Sequence, residues 1–424
     1  MSSGLSLLSD GDDAGPGFFR IEHRNGRHTL ITPNGQPFFA LGVNHVAGAL
    51  NRDARRGDAV MSSNEQIVDA AEANLRRWGF NTVGYDAPEP LRQRLPYFSG
   101  LQFTSCLHAL PPDRFGYDDV FCLDFQSRVE EIIVEVAARR HDDPLLIAYY
   151  TSDTPRWDLD TARLRRGIDW VSHLRSLPAD RPGKRAYVAF LDERYANLDD
   201  FVAAYRTPID RFDDLLERDF RCLELTHPRI RDDDEAFLAL IAETHYAQLR
   251  RCFDRHDPNH LVFSERYKMH DHPDEVIAAA GQHFDAIAVQ PGPEVGPMAG
   301  NGSHESVWDA AYWTRLTELS GRPTIVCDHQ VSFYAPHTPA TLWHQAGSQE
   351  EAGAAYTRFA QAAAESPNIL GYQRCQYASY YDPTRRLTKQ GLIDDHHRPH
   401  ATLVDCVARA NAAAVEAAAS GVRG

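Results

Sequence analysis

Residues 145–157 read LLIAYYTSDTPRW. An apolar run, Leu145 to Tyr150, stops at a polar tetrad, Thr151, Ser152, Asp153 and Thr154, followed by Pro155 and Trp157. A run this short, bounded by turn residues, reads as a buried strand rather than a helix. A buried strand that empties directly into polar groups is what a parallel α/β sheet needs, because such folds carry their chemistry at the carboxyl ends of the strands. Seven further runs have the same character: FFALGVNH (38–45), FNTVGYD (80–86), LQFTSCLHA (101–109), HLVFSER (260–266), FDAIAVQP (284–291), PTIVCDH (323–329) and NILGYQRCQY (368–377).

Amphipathic stretches separate these runs. NEQIVDAAEANLRRWG (64–79) has apolar residues at helical spacing and ends at Gly79, and DFQSRVEEIIVEVAARRHDDP (124–144) does the same before Pro144. Two more precede the fifth and eighth runs, and residues 402–420 supply a closing helix. Eight alternations of strand and helix predict an α/β fold, the (β/α)8 barrel. The rival is a doubly wound sheet, but no G-x-G-x-x-G follows the first run. Residues 1–17 read as a flexible leader, and Asn-Gly turns at Asn25 and Asn34 predict a short β-hairpin over 18–36. Residues 158–235 are too long for one connection and read as a helical insertion after strand four. Residues 18–424 therefore form a single barrel domain.

The 424 residues are 43% hydrophobic and 25% charged, with a net charge of −16. An acidic surface argues against nucleic acid and anionic membrane as partners, since both are dense in negative charge. No apolar run approaches the ~20 residues of a membrane helix. The seven cysteines form no C-x-x-C pair, which removes zinc knuckles and dithiol chemistry and fits reduced thiols in a cytoplasm. The partner expected is a small molecule or an oligosaccharide, with oligomeric state undetermined.

The motifs WGFNTVGYDAPEP, LPYFSGLQF, DDVFCLDF, HDDPLLIAYYTSDTPRW, HDPNHLVFSERY, GRPTIVCDH, NILGYQRCQY and QGLIDDHHRPH occur in that order. Together they resemble the β-agarase-like and β-galactosidase-like glycoside hydrolases of the retaining TIM-barrel clan. The resemblance implies that strand four should end in an acid/base Glu and strand seven in a nucleophilic Glu. Here those places hold Thr154 and Asp328. Gln290 stands at the end of strand six, and Gln373, Arg374 and Cys375 at the end of strand eight, where an aromatic-rich motif is usual. The clan uses no catalytic metal, so neither metal nor cofactor is expected.

Asp328 and Asp153 remain as carboxylates at the right strand ends. Each is one methylene shorter than Glu, which widens the gap between them and favours a water-mediated step. Their ordinary alternative is turn capping. Glu265 is a third catalytic candidate, with Arg266 to orient a carboxylate. Alternation on a strand sends these two neighbours to opposite faces, so only one enters the barrel. His329 is taken as an assisting group, and His45 with Asn44 as hydrogen-bonding partners of substrate hydroxyls. His270, Asp271 and His272 have metal-ligand spacing but lie beyond a strand end, in a loop. Tyr85, Trp157, Tyr334 and Tyr377 follow strand ends, where aromatic faces suit a sugar ring. The resulting expectation is a divergent glycoside-hydrolase-like enzyme acting on a sugar or sugar-containing molecule. A biosynthetic enzyme using Asp/His proton transfer and an inactive carbohydrate-binding protein are the alternatives.

Overall fold

The computed structural model describes residues 17–48, 64–104, 117–218, 227–269, 272–291, 307–336, 338, 340–382 and 386–423. The leader over 1–16 and the loop residues His270 and Asp271 lie outside them. Eight parallel strands close into a barrel: β1 (Ala40–Val43), β2 (Thr82–Val83), β3 (Tyr97–Gly100), β4 (Leu146–Tyr150), β5 (Leu261–Lys268), β6 (Ala286–Gln290), β7 (Thr324–His329) and β8 (Ile369–Arg374), with β8 pairing back onto β1. Each is followed by a helix: α1 (Asn64–Arg77), α2 (Glu89–Arg92), α3 (Leu123–Arg140), α4 (Pro228–His256), α5 (Asp274–His283), α6 (Ala310–Ser320), α7 (Gln349–Glu365) and α8 (Ala401–Arg423). The expected (β/α)8 architecture is therefore the observed one.

The helices follow from their patterning. In α3, Phe125, Val129, Ile133 and Ala137 recur every fourth residue and are the buried ones. Asp309 caps α6 by accepting from the Tyr312 amide at 3.1 Å, and Ser348 caps α7 by accepting from the Glu351 amide at 3.2 Å. Inside the barrel, Phe98, Tyr150, Phe263, Ile325, Cys327 and Leu370 form a second core, distinct from the one between strands and helices. The β-leader, residues 18–38, closes its lower end. Segments Arg20–Arg24, Arg27–Ile31 and Pro37–Phe38 pair antiparallel, and Phe19, Leu30 and Phe38 join the interior cluster beside Ala40.

One strand lies elsewhere than the sequence predicts. The third strand is Tyr97–Gly100, which pairs with β4 from Leu146 to Tyr150, and not the run at 101–109. Its last residue is a glycine where the Tyr85 ring occupies the space of a side chain, 2.2 Å from where a Cβ would stand. Residues 101–104 beyond it form a loop, tied down by the amides of Phe103 and Thr104, which both donate to Ser152 Oγ.

The connection after β4 carries four helices, Leu159–Arg166, Trp170–Arg175, Pro182–Arg194 and Leu198–Tyr205, and a 3-10 turn, Phe212–Glu217. Buried ion pairs fasten it to α4: Arg175 to Asp234 at 2.6 Å and Arg163 to the same carboxylate at 2.9 Å. Burial pushes the Asp234 carboxyl up to about 6 against the pull of the two arginines. No described helix is long and apolar enough to cross a membrane.

If the leader is part of the core, Leu30→Ala should cost about 2–5 kcal/mol of unfolding free energy in urea titration, as for a fully buried leucine. A loss below about 0.5 kcal/mol, the range of surface changes, would show that the leader is only draped on the barrel.

Candidate active site

The centre of the barrel mouth is Arg266, the sixth residue of β5 and buried. A register shift between Phe263 and Arg266 turns it inward. Its Nη1 donates to Asp153 Oδ1 at 3.0 Å, and its Nη2 donates to Asp328 Oδ2. Below, the guanidinium lies 4.2 Å from the centroid of the Tyr85 ring, a cation–π contact. Asp153 also accepts from Gln290 Nε2 at 2.7 Å, and Asp328 Oδ1 accepts from Asn44 Nδ2. Asn44 in turn accepts from the Tyr85 amide at 2.8 Å. This needs a glycine opposite: a Cβ on Gly84 would meet the Asn44 Oδ1 at 1.7 Å. Gln373 faces the interior in the same layer, near Gly84.

Four non-glycine residues at the strand ends hold positive φ: His45 (+57°), Asp86 (+59°), Thr154 (+43°) and Asp328 (+48°). Each such residue costs of order 1–3 kcal/mol, and for a β-branched threonine the conformation is a clear outlier. At Asp328 the effect can be read directly. Cys327 faces the barrel interior, so plain alternation would send Asp328 out and His329 in. The left-handed turn at Asp328 coincides with a register shift between Val326 and His329. Parity reverses there, as at a β-bulge. Asp328 joins Arg266, and His329 goes outward.

His45 completes the cluster. Its Nε2 is 3.6 Å from Asp328 Oδ2 and its Nδ1 3.5 Å from Asp86 Oδ2, and its side chain stays 23% exposed. Burial works against its charge, but Asp328 and Asp86 prevail and hold its pKa well above the ordinary histidine value. Burial likewise opposes ionisation of Asp328, yet Arg266, His45 and the Asn44 amide hold its carboxyl far below the usual range. The mouth thus sets an imidazole whose pKa is raised against a carboxylate whose pKa is lowered. His45, Asp328 and Cys375 have donor atoms within 4.8 Å of one another, a metal-like spacing. The Asp328 oxygens are already acceptors for Asn44 and Arg266, and two positive groups adjoin them. The set suits a hydrogen-bond network better than a cation.

The other candidates divide cleanly. Asn44, His45, Tyr85, Asp153, Arg266, Gln290, Gln373 and Asp328 gather in or just beneath the mouth. Thr154 is buried beside it, its hydroxyl without a partner among the described residues. Glu265 points the opposite way from Arg266 and accepts from Trp157 Nε1 and Tyr246 Oη behind the barrel wall. Burial raises its pKa. Trp157 is buried against Trp170, 4.3 Å between ring centroids, so it offers no face to a ligand. His329 packs on Phe359 at 3.7 Å and its Nδ1 meets Tyr372 Oη at 2.6 Å, so it does not assist at the mouth. Arg374 likewise faces out, over the Tyr356 ring at 5.5 Å. Tyr377 is buried next to Trp78 and accepts from Asn74. Tyr334 is 55% exposed. His272 is engaged with Tyr312 Oη at 2.7 Å. Two members of the cluster had no role in the sequence reading: Asp86, and Cys375, which was placed at the end of strand eight and no further. Each stands one residue past a named strand-end candidate, and that position was the available signal.

No family model matches this chain. Beta-agarase B of Vibrio sp. (strain JT0107) is 19% identical over 443 residues, which cover 86% of this chain and 44% of that protein. The chain thus spans under half the length of that relative. Among solved structures, the agarase AgWH50C superimposes with a TM-score of 0.77 at 19% identity, covering 96% of this chain and 66% of that one. An exo-beta-agarase gives 0.78 at 17% identity, covering 95% and 66%. A beta-galactosidase from the psychrophilic Marinomonas ef1 gives 0.59 at 12%, covering 91% and 61%. The fold is a TIM barrel like that of these agarases, as the sequence motifs suggest.

The shifts of Asp328 and His45 set a pH window for stability. A lowered carboxylate contributes above its unfolded pKa, about 3.9, and its contribution is lost as pH falls through the folded value. A raised histidine contributes fully below its unfolded pKa, about 6.5, and its contribution is lost as pH rises through the folded value. Both act between about pH 4 and pH 6.5. Asp328→Asn should therefore cost about 3–5 kcal/mol in that window, as breaking a buried pair does, and less on the alkaline side. Denaturant melts of both proteins at several pH values test this, and a difference independent of pH would refute the ion pairing.

Proposed function

We propose that this chain is an acid–base enzyme acting on a neutral, galactose-containing saccharide at the barrel mouth, with His45 as the proton-carrying group. The observation that carries the reading is the partly exposed His45 at the open end of the barrel, its Nε2 3.6 Å from Asp328 Oδ2. Work on a glycosidic bond needs a proton for the departing oxygen and a group that activates the attacking one. Thr154 stands where the resemblance puts the acid, and its hydroxyl does not release a proton near neutrality. Asp153 receives donors from Arg266 and Gln290, which suits an acceptor and not an acid. Of the groups in the cluster, His45 is the one with a proton to give.

Asp328 serves here as the anion that orients and charges His45. Its two oxygens are engaged by Asn44 and Arg266, which leaves it poorly placed to attack an anomeric carbon. Asp153, 18% exposed on the other side of Arg266, is the group that would position a water. Cleavage on this plan is water-mediated and inverts the anomeric centre. The saccharide class is suggested by the names of the relatives, agarases and beta-galactosidases. A second reading, binding without turnover, draws support from Arg266, whose guanidinium engages both carboxylates at once.

The test pairs kinetics with binding. Wild type and His45→Gln are compared on agaro-oligosaccharides and aryl β-galactosides, with the first-formed anomer followed by NMR. We expect a drop in turnover of about 100-fold or more in His45→Gln, with affinity measured by calorimetry kept within a few-fold. Wild-type turnover should hold through neutral pH and fall as pH rises through the elevated His45 value. Saccharide binding with no turnover in wild type would establish the second reading. Turnover unchanged by His45→Gln, or a retained anomer, would refute the assignment of His45 and Asp153.

A further inference from the structure

One buried cation of the barrel has no carboxylate beside it. Arg374 is the last residue of β8 and is 1% exposed. Arg266 and Arg175 are buried to the same depth, and each meets a carboxylate. Arg374 has no such partner among the described residues, and its Nε and Nη1 are both buried without a hydrogen bond. The groups that act most on its charge are Tyr372, Tyr356 and Cys375. Burial raises the pKa of all three, so they are neutral near pH 7 and supply no anion. Burial also lowers the pKa of Arg374, but a guanidinium keeps its proton at neutrality. A buried charge of this kind is costly unless something answers it.

The surroundings define what can answer it. The guanidinium lies over the Tyr356 ring, 5.5 Å from its centroid. That cation–π contact offsets part of the desolvation cost and leaves the in-plane N–H groups without an acceptor. The side-chain oxygens of this layer are already engaged. Tyr356 Oη donates to Asn411 Oδ1 at 2.6 Å, and Tyr372 Oη is 2.6 Å from His329 Nδ1. Asn411 Nδ2 donates onward to the Trp78 carbonyl at 2.9 Å, and the Trp78 indole Nε1 is another buried donor without a partner among the described residues. Behind β8, against α7 and α8, it is therefore donors that stand unanswered. A water here would accept from the guanidinium but would bring two hydrogens needing acceptors of their own. An anion only accepts, and it also cancels the buried charge. Tyr356, Tyr372 and Phe359 are all buried, so the anion must shed its water, which favours a small monovalent ion over phosphate or sulfate.

We propose that Arg374 is the core of a buried binding site for a small monovalent anion of the chloride type, held by Nε and Nη1 behind the end of β8. The site is independent of the saccharide reading above. Its place gives it a structural role. The Arg374 carbonyl accepts from the Asn44 amide at 2.9 Å, and the flanking residues Gln373 and Cys375 both face the mouth layer. An anion on the guanidinium fixes the strand end that carries them.

Urea unfolding of the full chain at one ionic strength, with sodium gluconate replaced stepwise by sodium chloride, tests the site. Chloride should lower the unfolding constant, by about tenfold for each tenfold rise above its dissociation constant. Arg374→Met keeps an apolar stem without the charge and should show no chloride response. Wild-type crystals soaked in sodium bromide give a reading that needs no variant: an anomalous peak should stand within hydrogen-bond distance of Arg374 Nε or Nη1. That peak together with the wild-type chloride response establishes the site even where Arg374→Met does not fold. Equal stability in gluconate and chloride overturns it, and so does a soaked crystal with only an ordered water at the guanidinium. A bromide peak without chloride dependence is an adventitious ion only and overturns it as well. A chloride response retained by Arg374→Met puts the anion elsewhere and overturns the assignment to Arg374.

Discussion

A single guanidinium holds the mouth of this barrel together. Arg266 reaches Asp153 from β4 and Asp328 from β7, and lies on the Tyr85 ring from β2. Three strand ends that are distant in sequence are thereby held at one depth. A buried, planar, permanently charged group is costly to desolvate, and it is tolerated only where anions and an aromatic face surround it. A lysine has one point charge and no fork, so it would not bridge two carboxylates in the same way. The arrangement also limits the chemistry. Carboxylates bound to the same cation serve as acceptors and anchors, which moves the proton-handling role to the neighbouring imidazole.

The scaffold supplies what this arrangement costs. His45, Asp86, Thr154 and Asp328 all take left-handed backbone conformations at the strand ends. Such residues persist where the structure around them leaves no alternative, and here that structure is the closed barrel with its filled interior. Behind the wall, Glu265, Trp157, Tyr246 and Tyr267 form a buried hydrogen-bonded set, Tyr246 and Tyr267 being 2.7 Å apart. It anchors the segment after β4 from the rear, next to the residue that faces forward as Arg266. Glu265 is thus part of the support for the mouth and not one of its reacting groups.

The agarase barrels and this chain share an architecture at 19% identity or less. A (β/α)8 barrel separates stability, carried by its strands and helices, from function, carried by the strand ends. That separation lets Thr154 and Asp328 replace residues the resemblance would make glutamates, with the barrel closed around them. The insertion after β4 follows the same rule, since among the described residues its ion pairs run to α4 and to Asp119 rather than to the Arg266 cluster.

Much of this was legible in the sequence. Seven of the eight short apolar runs are barrel strands, and their alternation with amphipathic helices made the fold legible, because strand and helix periodicities are local properties. Strand-end positions marked Asn44, His45, Asp153, Arg266, Gln290 and Asp328, and simple alternation separated Arg266 from Glu265. Tertiary structure decided the rest. A register shift at Asp328 reversed the parity of β7 and sent His329 outward, which no count of residues reveals, because a bulge is set by the neighbouring strands. Trp157 and Tyr377 looked like ligand platforms until packing against Trp170 and Trp78 buried them. The charge on His45 could not be read from its own segment either. It depends on Asp328 and Asp86, which only the closing of the barrel brings within reach, and electrostatic coupling acts through space and not along the chain.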